Sequence, residues 1–187
     1  AKPVLADIRS DTFNIDENKI EEKITKKTKA IIPVHFGGLP CEMDKIVNIA
    51  KKYKLKIIED CAHAIEGKYK KKHLGTFGDT GCFSFYANKN LTTGEGGMLI
   101  TNNKKIYEKV KILRLHGMSK DSWKRFGVEN SKVQKFMNYD VLSVGFKYNM
   151  TDMMAAMGNV QLKKIMFMHK ERKKIAKFYF ENLKKLP

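Results

Sequence analysis

Lys56-Ile57-Ile58-Glu59-Asp60-Cys61-Ala62-His63-Ala64 decides the fold. Its first half is a short β-favouring run, Lys56–Asp60, and an acid closes that run. A histidine follows three residues later. Just upstream, Met43, Ile46, Val47, Ala50 and Tyr53 recur at helical spacing, which predicts an amphipathic helix leading into the strand. Further upstream, Ala30–His35 carries Ile31, Ile32 and Val34 and predicts another strand, broken by Phe36-Gly37-Gly38-Leu39-Pro40. Downstream, Gly81–Tyr86 and Gly97–Thr101 predict further strands, and Ile106, Val110 and Leu113 a helix. Val4–Arg9 is a weaker strand candidate. Strands alternating with helices predict an α/β fold: three layers, a mostly parallel sheet, helices on both faces. In such sheets ligands sit at the carboxyl ends of the strands.

Three of those ends carry chemistry. Asp60 and His63 close the first. Ser84 and Lys89 flank the end of the second, in Cys82-Phe83-Ser84-Phe85-Tyr86-Ala87-Asn88-Lys89. The third is a Gly-rich turn, Leu91-Thr92-Thr93-Gly94-Glu95-Gly96-Gly97. It has neither the G-K-[ST] ending of a P-loop nor the G-x-G-x-x-G of a dinucleotide site, so alone it reads as a hairpin-like connection. Each piece alone also has an ordinary structural reading: a capping acid, a solvated lysine, a satisfied histidine. Together they match what pyridoxal phosphate (PLP) demands of a protein: an amine, an acid beside the pyridine nitrogen and a phosphate anchor. The acid keeps the ring nitrogen protonated. The lysine must also serve as a proton carrier, and burial beside a cationic cofactor lowers its affinity for the proton. A small hydroxyl such as Ser84 suits a phosphate oxygen.

Composition narrows the alternatives. The 187 residues suffice for one domain, and 42% are hydrophobic. The longest apolar runs are too short to span a bilayer, so no membrane partner is expected. Three cysteines fit a reducing compartment, and Ala1-Lys2-Pro3-Val4-Leu5-Ala6-Asp7 has no apolar stretch of signal-peptide length. A cytoplasmic location is therefore expected. Cys61, His63 and Cys82 lack paired C-x-x-C spacing, and no metal site is expected. The net charge of +17 raises nucleic acid as a partner. Lysines are scattered over nearly every predicted helix without interleaved aromatics, so nucleic acid is not the expected partner.

The long segment Ser119–Asn138 lacks periodicity and predicts a loop. Thr151 reads as a helix N-cap with Asp152 in the first turn. Met154, Ala155, Met157 and Leu162 then predict a buried helix whose methionines fill the core. Ile165, Met168, Arg172, Ile175 and Tyr179 continue it as a long basic helix. The expected organisation is residues 1–162 as a cofactor-binding portion and 163–187 as a helix leading toward a smaller C-terminal domain.

Four stretches resemble the DegT/DnrJ/EryC1/StrS family of PLP-dependent sugar aminotransferases, of fold type I. They are residues 29–38 (Lys29 to Gly38), 59–64 (Glu59 to Ala64), 83–97 (Phe83 to Gly97) and 145–152 (Gly145 to Asp152). The resemblance implies that Lys89 is the Schiff-base lysine and proton shuttle. It implies that Asp60 pairs with the pyridinium, that His63 contacts the ring or its phenolic oxygen, and that Ser84 binds the phosphate. Asn149 matches a residue reaching the phosphate of a neighbouring subunit's cofactor, with Lys147 as the alternative, which implies a homodimer with shared sites. The implied reaction moves an amino group from glutamate to a keto nucleotide sugar, for cell-surface (cell wall or lipopolysaccharide) or secondary-metabolite sugar synthesis. Similarity of residues 139–152 points to C4 of a 4-keto-6-deoxy hexose. Met154 stands where the family usually has Gln. The family's Gly-Thr phosphate-binding turn has no counterpart before Val4, and its small C-terminal domain none after Leu186-Pro187, so a large-domain fragment is expected. Three readings stand beside this one. A dehydratase relative would carry His in place of Lys89, a truncated member would keep the fold without the reaction, and a basic binding module would release its polyanion as salt rises.

Overall fold

Four strands build the central sheet of the computed structural model, which describes residues 1–118, 141–184 and 186. They are β1 (Ala30–Ile31), β2 (Lys56–Asp60), β5 (Thr80–Ser84) and β6 (Gly97–Ile100), in the order β1-β2-β5-β6. The pairs β1–β2 and β2–β5 are parallel, and β6 runs antiparallel to β5. The expectation of an α/β fold on a mostly parallel sheet is met. A separate antiparallel pair, β3 (Lys68–Tyr69) and β4 (Lys72–His73), follows β2.

The predicted strand over Ala30–His35 is cut to its first two residues. Pro33 has no N–H for the ladder, so regular pairing lapses there. The chain still tracks β2: Asp60 N–H donates to Pro33 O (2.9 Å) and His35 N–H to Asp60 O (3.1 Å). Val4–Arg9 forms no strand, only a single bridge between Ile8 and Ile15. Gly81–Tyr86 is realised as Thr80–Ser84, and Gly97–Thr101 as Gly97–Ile100.

Helix α1 (Met43–Tyr53) lays Met43, Ile46, Ile49 and Ala50 into the core, one face at helical spacing. They meet Ile31 and Ile57 from the sheet, with Ile20 and Cys41. Burying each such side chain contributes roughly 1.5–3 kcal/mol. The helix ends in a Schellman-type turn: Lys54 takes a left-handed φ of 54° and Leu55 N–H returns to Ala50 O. A second cluster, Cys61, Ala64 and Leu74, is flanked by Tyr69, Phe77 and Phe83.

The chain divides into two compact units, residues 1–100 with 151–187, and residues 101–150. In the second, α2 (Lys104–Leu113) is capped by Asn103, whose Oδ1 accepts from Lys105 and Ile106 N–H. The predicted Ser119–Asn138 loop lies outside the described residues. In the first unit, α3 (Asp152–Leu183) is one unbroken helix through residues 162 and 163. Thr151 caps it as predicted, accepting from Met154 N–H. The methionine stripe is not core in this chain. Met157 and Leu162 are exposed and only Ile165 is fully buried, because the face that meets the unit runs through Met154, Gly158, Ile165 and Met168. Periodicity identifies an apolar face without specifying what covers it. No helix among the described residues is long and apolar enough to cross a membrane.

Candidate active site

β2 and β5 bring Asp60 and Ser84 to one edge of the sheet. Asp60 pairs with Cys82, so strand alternation puts Asp60, Cys82 and Ser84 on the same face. Asp60 Oδ1 accepts from Ala62 N–H at 2.9 Å, which fixes the carboxylate and leaves its second oxygen available. Burial pushes the Cys82 thiol above its ordinary range, and the negative charge of Asp60 adds to that. Cys82 therefore stays a neutral thiol beside the acid. Ser84 Oγ accepts from Tyr86 N–H at 3.3 Å, so its own proton is free for an acceptor.

His63 lies three residues past Asp60 on the exposed side. Its Nδ1 faces Gly37 N–H at 3.4 Å, and its ring meets Phe36 edge-on with centroids 6.2 Å apart. With Nδ1 accepting, the neutral ring carries its proton on Nε2. The Gly37-Gly38 turn permits this approach. Gly38 has φ +85°, and a Cβ there would lie 2.9 Å from His63 O. Gly38→Ala is expected to cost about 1–3 kcal/mol, read as a lower urea midpoint, because it adds a left-handed strain to a backbone clash.

Lys89 sits on the connection between β5 and β6. That connection is locked from within: Lys89 N–H donates to Tyr86 O (3.0 Å), Thr93 N–H to Phe85 O (2.9 Å) and Phe85 N–H to Gly96 O (2.8 Å). The buried Thr93 hydroxyl donates to Glu95 O at 2.7 Å, and Gly94 takes φ +79° to turn the chain. Lys89 is half-buried, and its Nζ has no hydrogen-bond or ion-pair partner among the described residues. A rigid backbone thus carries an uncommitted amine.

Asn149 belongs to the second unit, where Lys147 Nζ donates to its Oδ1 at 2.5 Å. The two residues that compete for one role in the sequence are therefore bonded to each other.

Sequence reasoning missed the buried pair behind Asp60. Glu59 points to the opposite face and is fully buried, as is His35. Glu59 Oε1 accepts from Phe77 and Gly78 N–H, both at 2.7 Å; Oε2 accepts from Gly75 N–H at 2.8 Å and meets His35 Nε2 at 3.3 Å. Cys41 N–H donates to His35 Nδ1 at 3.2 Å, so the ring is neutral with its proton on Nε2, aimed at the acid. The signal available was alternation: Glu59 shares a strand face with the core residue Ile57. His35, Glu59 and Cys61 offer ligand atoms within 4.8 Å of one another. Four donors already occupy the carboxylate, and burial raises the Cys61 thiol to about 12, so hydrogen bonding accounts for this cluster without a metal.

The donor set at the sheet edge fits PLP. A pyridinium N–H needs an anionic acceptor, a phosphate needs hydroxyl donors, and an aldehyde needs a free amine. Asp60, Ser84 and Lys89 are of the types that could supply these in order.

The profile of the DegT/DnrJ/EryC1/StrS aminotransferase family matches residues 1–187. The uncharacterized protein MJ1066 of Methanocaldococcus jannaschii is 56% identical over 189 residues, covering 100% of this chain and 48% of that protein. Helicobacter pylori PseC, an aminotransferase involved in the biosynthesis of pseudoaminic acid, superposes with a TM-score of 0.88 at 34% identity, covering 100% of this chain and 46% of PseC. The PLP form of Spr1654 from Streptococcus pneumoniae superposes with a TM-score of 0.86 at 32% identity, over 99% of this chain and 49% of that one. The chain spans about half the length of each of these relatives. Matched by the family profile from its first residue to its last, this chain belongs to the DegT/DnrJ/EryC1/StrS aminotransferase family.

Proposed function

We propose that this chain forms the cofactor-binding part of a PLP-dependent aminotransferase that moves an amino group from glutamate to a keto nucleotide sugar, a 4-keto-6-deoxy hexose. The observation carrying the proposal is the juxtaposition of a fixed carboxylate, Asp60, and a hydroxyl, Ser84, on adjacent parallel strand ends, followed by the locked turn of Lys89. Bound PLP would supply the aldehyde and an electron-accepting ring.

The residues divide the remaining work. Asp60 accepts the ring N–H and, as an anion, keeps that nitrogen protonated. Ser84 Oγ donates its proton to a phosphate oxygen. His63 presents its Nε2–H to the ring or its phenolic oxygen. Lys89 Nζ would hold the cofactor through its aldehyde carbon and, as a free amine, would carry a proton from the donor amino acid's α-carbon to that carbon. Asn149 reaches the phosphate in a second copy, so the active form is a homodimer. The net charge of +17 attracts a phosphorylated substrate.

The test is spectroscopic. The chain is mixed with PLP, reduced with borohydride and digested, and the modified peptide is identified. Glutamate is then added to an unreduced sample, and 2-oxoglutarate release is followed. Attachment at Lys89 and stoichiometric release support the reading. PLP bound elsewhere, or release of no keto acid in the presence of bound PLP, rejects it. In the same assay Asp60→Asn is expected to lower turnover by at least about 10²-fold, since it removes the charge paired with the ring nitrogen.

A further inference from the structure

We propose that Glu66, Asn90 and Arg172 are positioning residues: they form a clamp through which helix α3 holds the turn of Lys89 and so aims its amine. The proposal rests on the reading of Lys89 given above. Asn90 directly follows Lys89, and Glu66 lies three residues past His63. Asn90 Nδ2 donates to Glu66 Oε2 at 3.1 Å. Arg172 Nη2 donates to the backbone oxygen of Asn90 at 3.2 Å. Arg172 Nη1 lies 3.6 Å from Glu66 Oε1, which closes the ring. Three segments distant in sequence meet in it: the loop with His63, the turn with Lys89, and α3.

The electrostatics set this ring apart from the other ion pairs of α3. Lys174–Glu171 and Lys177–Glu181 lie within the helix, with all four side chains well exposed. Such pairs contribute little. The Glu66 side chain is only 9% exposed, and its Oε1 is buried without a hydrogen bond. That oxygen depends on the Arg172 guanidinium at ion-pair distance, with the His169 ring nitrogen 3.8 Å away. A nearly buried carboxylate costs free energy unless its partners stay in place. Displacing Arg172 therefore loosens Glu66, and with Glu66 the side chain of Asn90. The turn has a second brace from the same helix: a Cβ at Gly158 would sit 3.1 Å from Thr93 Cγ2, so α3 packs closely on the segment just after Lys89. An ordinary helix-to-loop staple would stabilise the whole unit. A clamp on the lysine turn would act locally.

Amide hydrogen exchange on the full chain without cofactor separates these two roles. Glu66→Ala and Arg172→Ala are each expected to speed exchange in residues 86–93 about tenfold, equivalent to about 1.4 kcal/mol. Exchange in α1 should stay at the parent rate. Glu66→Gln, which keeps an acceptor for Asn90, should recover most of the protection. Lys174→Ala, which removes only a surface pair, should change nothing. With PLP added, the rate of borohydride-trappable attachment to Lys89 should fall about tenfold in the two alanine variants. Unchanged exchange in residues 86–93, or acceleration spread evenly over the chain, overturns the clamp. Asn90→Ala, which removes only the Nδ2 bond to Glu66 from an exposed position, decides the matter if another alanine variant fails to fold: faster exchange confined to the turn supports the clamp, and exchange at the parent rate overturns it. A parent chain that never attaches PLP at Lys89 rejects the functional reading, while the exchange result still decides whether the turn is clamped.

Discussion

Lys89→Ala is expected to abolish borohydride-trappable attachment of PLP and to lower glutamate-dependent turnover by at least about 10³-fold, within the range for losing a positioned proton carrier. Lys89 is the one lysine between Ser84 and Gly97, so no neighbour on the turn can substitute for it. Its Nζ makes no bond among the described residues, and the turn is held by its backbone and by Asn90, Thr92 and Thr93. Stability should therefore change by less than about 0.5 kcal/mol, as for an unpartnered surface side chain. A large loss of activity with an unchanged urea midpoint is the signature of chemistry. Lys89→Arg keeps the charge and the stem but cannot serve as the amine, because a guanidinium does not deprotonate in proteins. It should fail as completely as alanine. Trapped cofactor on Lys89→Ala, found by peptide mass on another lysine, would move the site elsewhere.

The parts of this fold that the sequence made legible are those whose signal is local. Lys56–Asp60 reads as a strand because β-branched Ile57 and Ile58 sit between polar ends, and α1 reads from the spacing of Met43, Ile46 and Ala50. Asp60, His63, Ser84 and Lys89 stand out as candidates because they lie at or just past apolar strands, where an α/β sheet keeps its ligands. What failed depended on distant partners or unusual backbone. The β3–β4 hairpin turns on Lys70 and Lys71, with φ of 47° and 71°. Asn and Gly are the usual residues for that conformation, and two lysines give no such signal. Period alone puts the methionine face of α3 in the core, whereas Met157 and Leu162 are exposed. Glu59 carries no role in the sequence reading, because its partners lie sixteen to nineteen residues downstream and at His35.

That missed residue carries the largest expected effect on stability. Glu59→Ala strands the N–H groups of Gly75, Phe77 and Gly78 and the His35 Nε2–H, all of which now point at one buried carboxylate. Removing one partner of a buried charged network costs about 3–5 kcal/mol, measurable as a fall in urea midpoint at neutral pH. Glu59→Gln should be only a partial remedy. Its amide keeps one acceptor oxygen and turns an NH₂ toward donors, a mismatch costing at least about 1–3 kcal/mol. The pH dependence gives an independent check. Burial alone would raise the Glu59 carboxyl, but the His35 bond and the Gly78, Gly75 and Phe77 N–H groups outweigh it and hold it below the ordinary range. A carboxyl that binds its proton less tightly folded than unfolded stabilises the fold above its unfolded pKa of about 4.3. That contribution is lost as pH falls through the lower folded value. Glu17, Asp79, Asp11 and Glu21 are shifted the same way, so the informative quantity is the difference between parent and Glu59→Gln. The stability gap between them should be widest above about pH 5 and narrow steadily below it. A gap independent of pH would mean that Glu59 binds its proton equally well folded and unfolded, and a gap that shrinks as pH rises above about 4.3 would mean that the three backbone donors face a neutral acid.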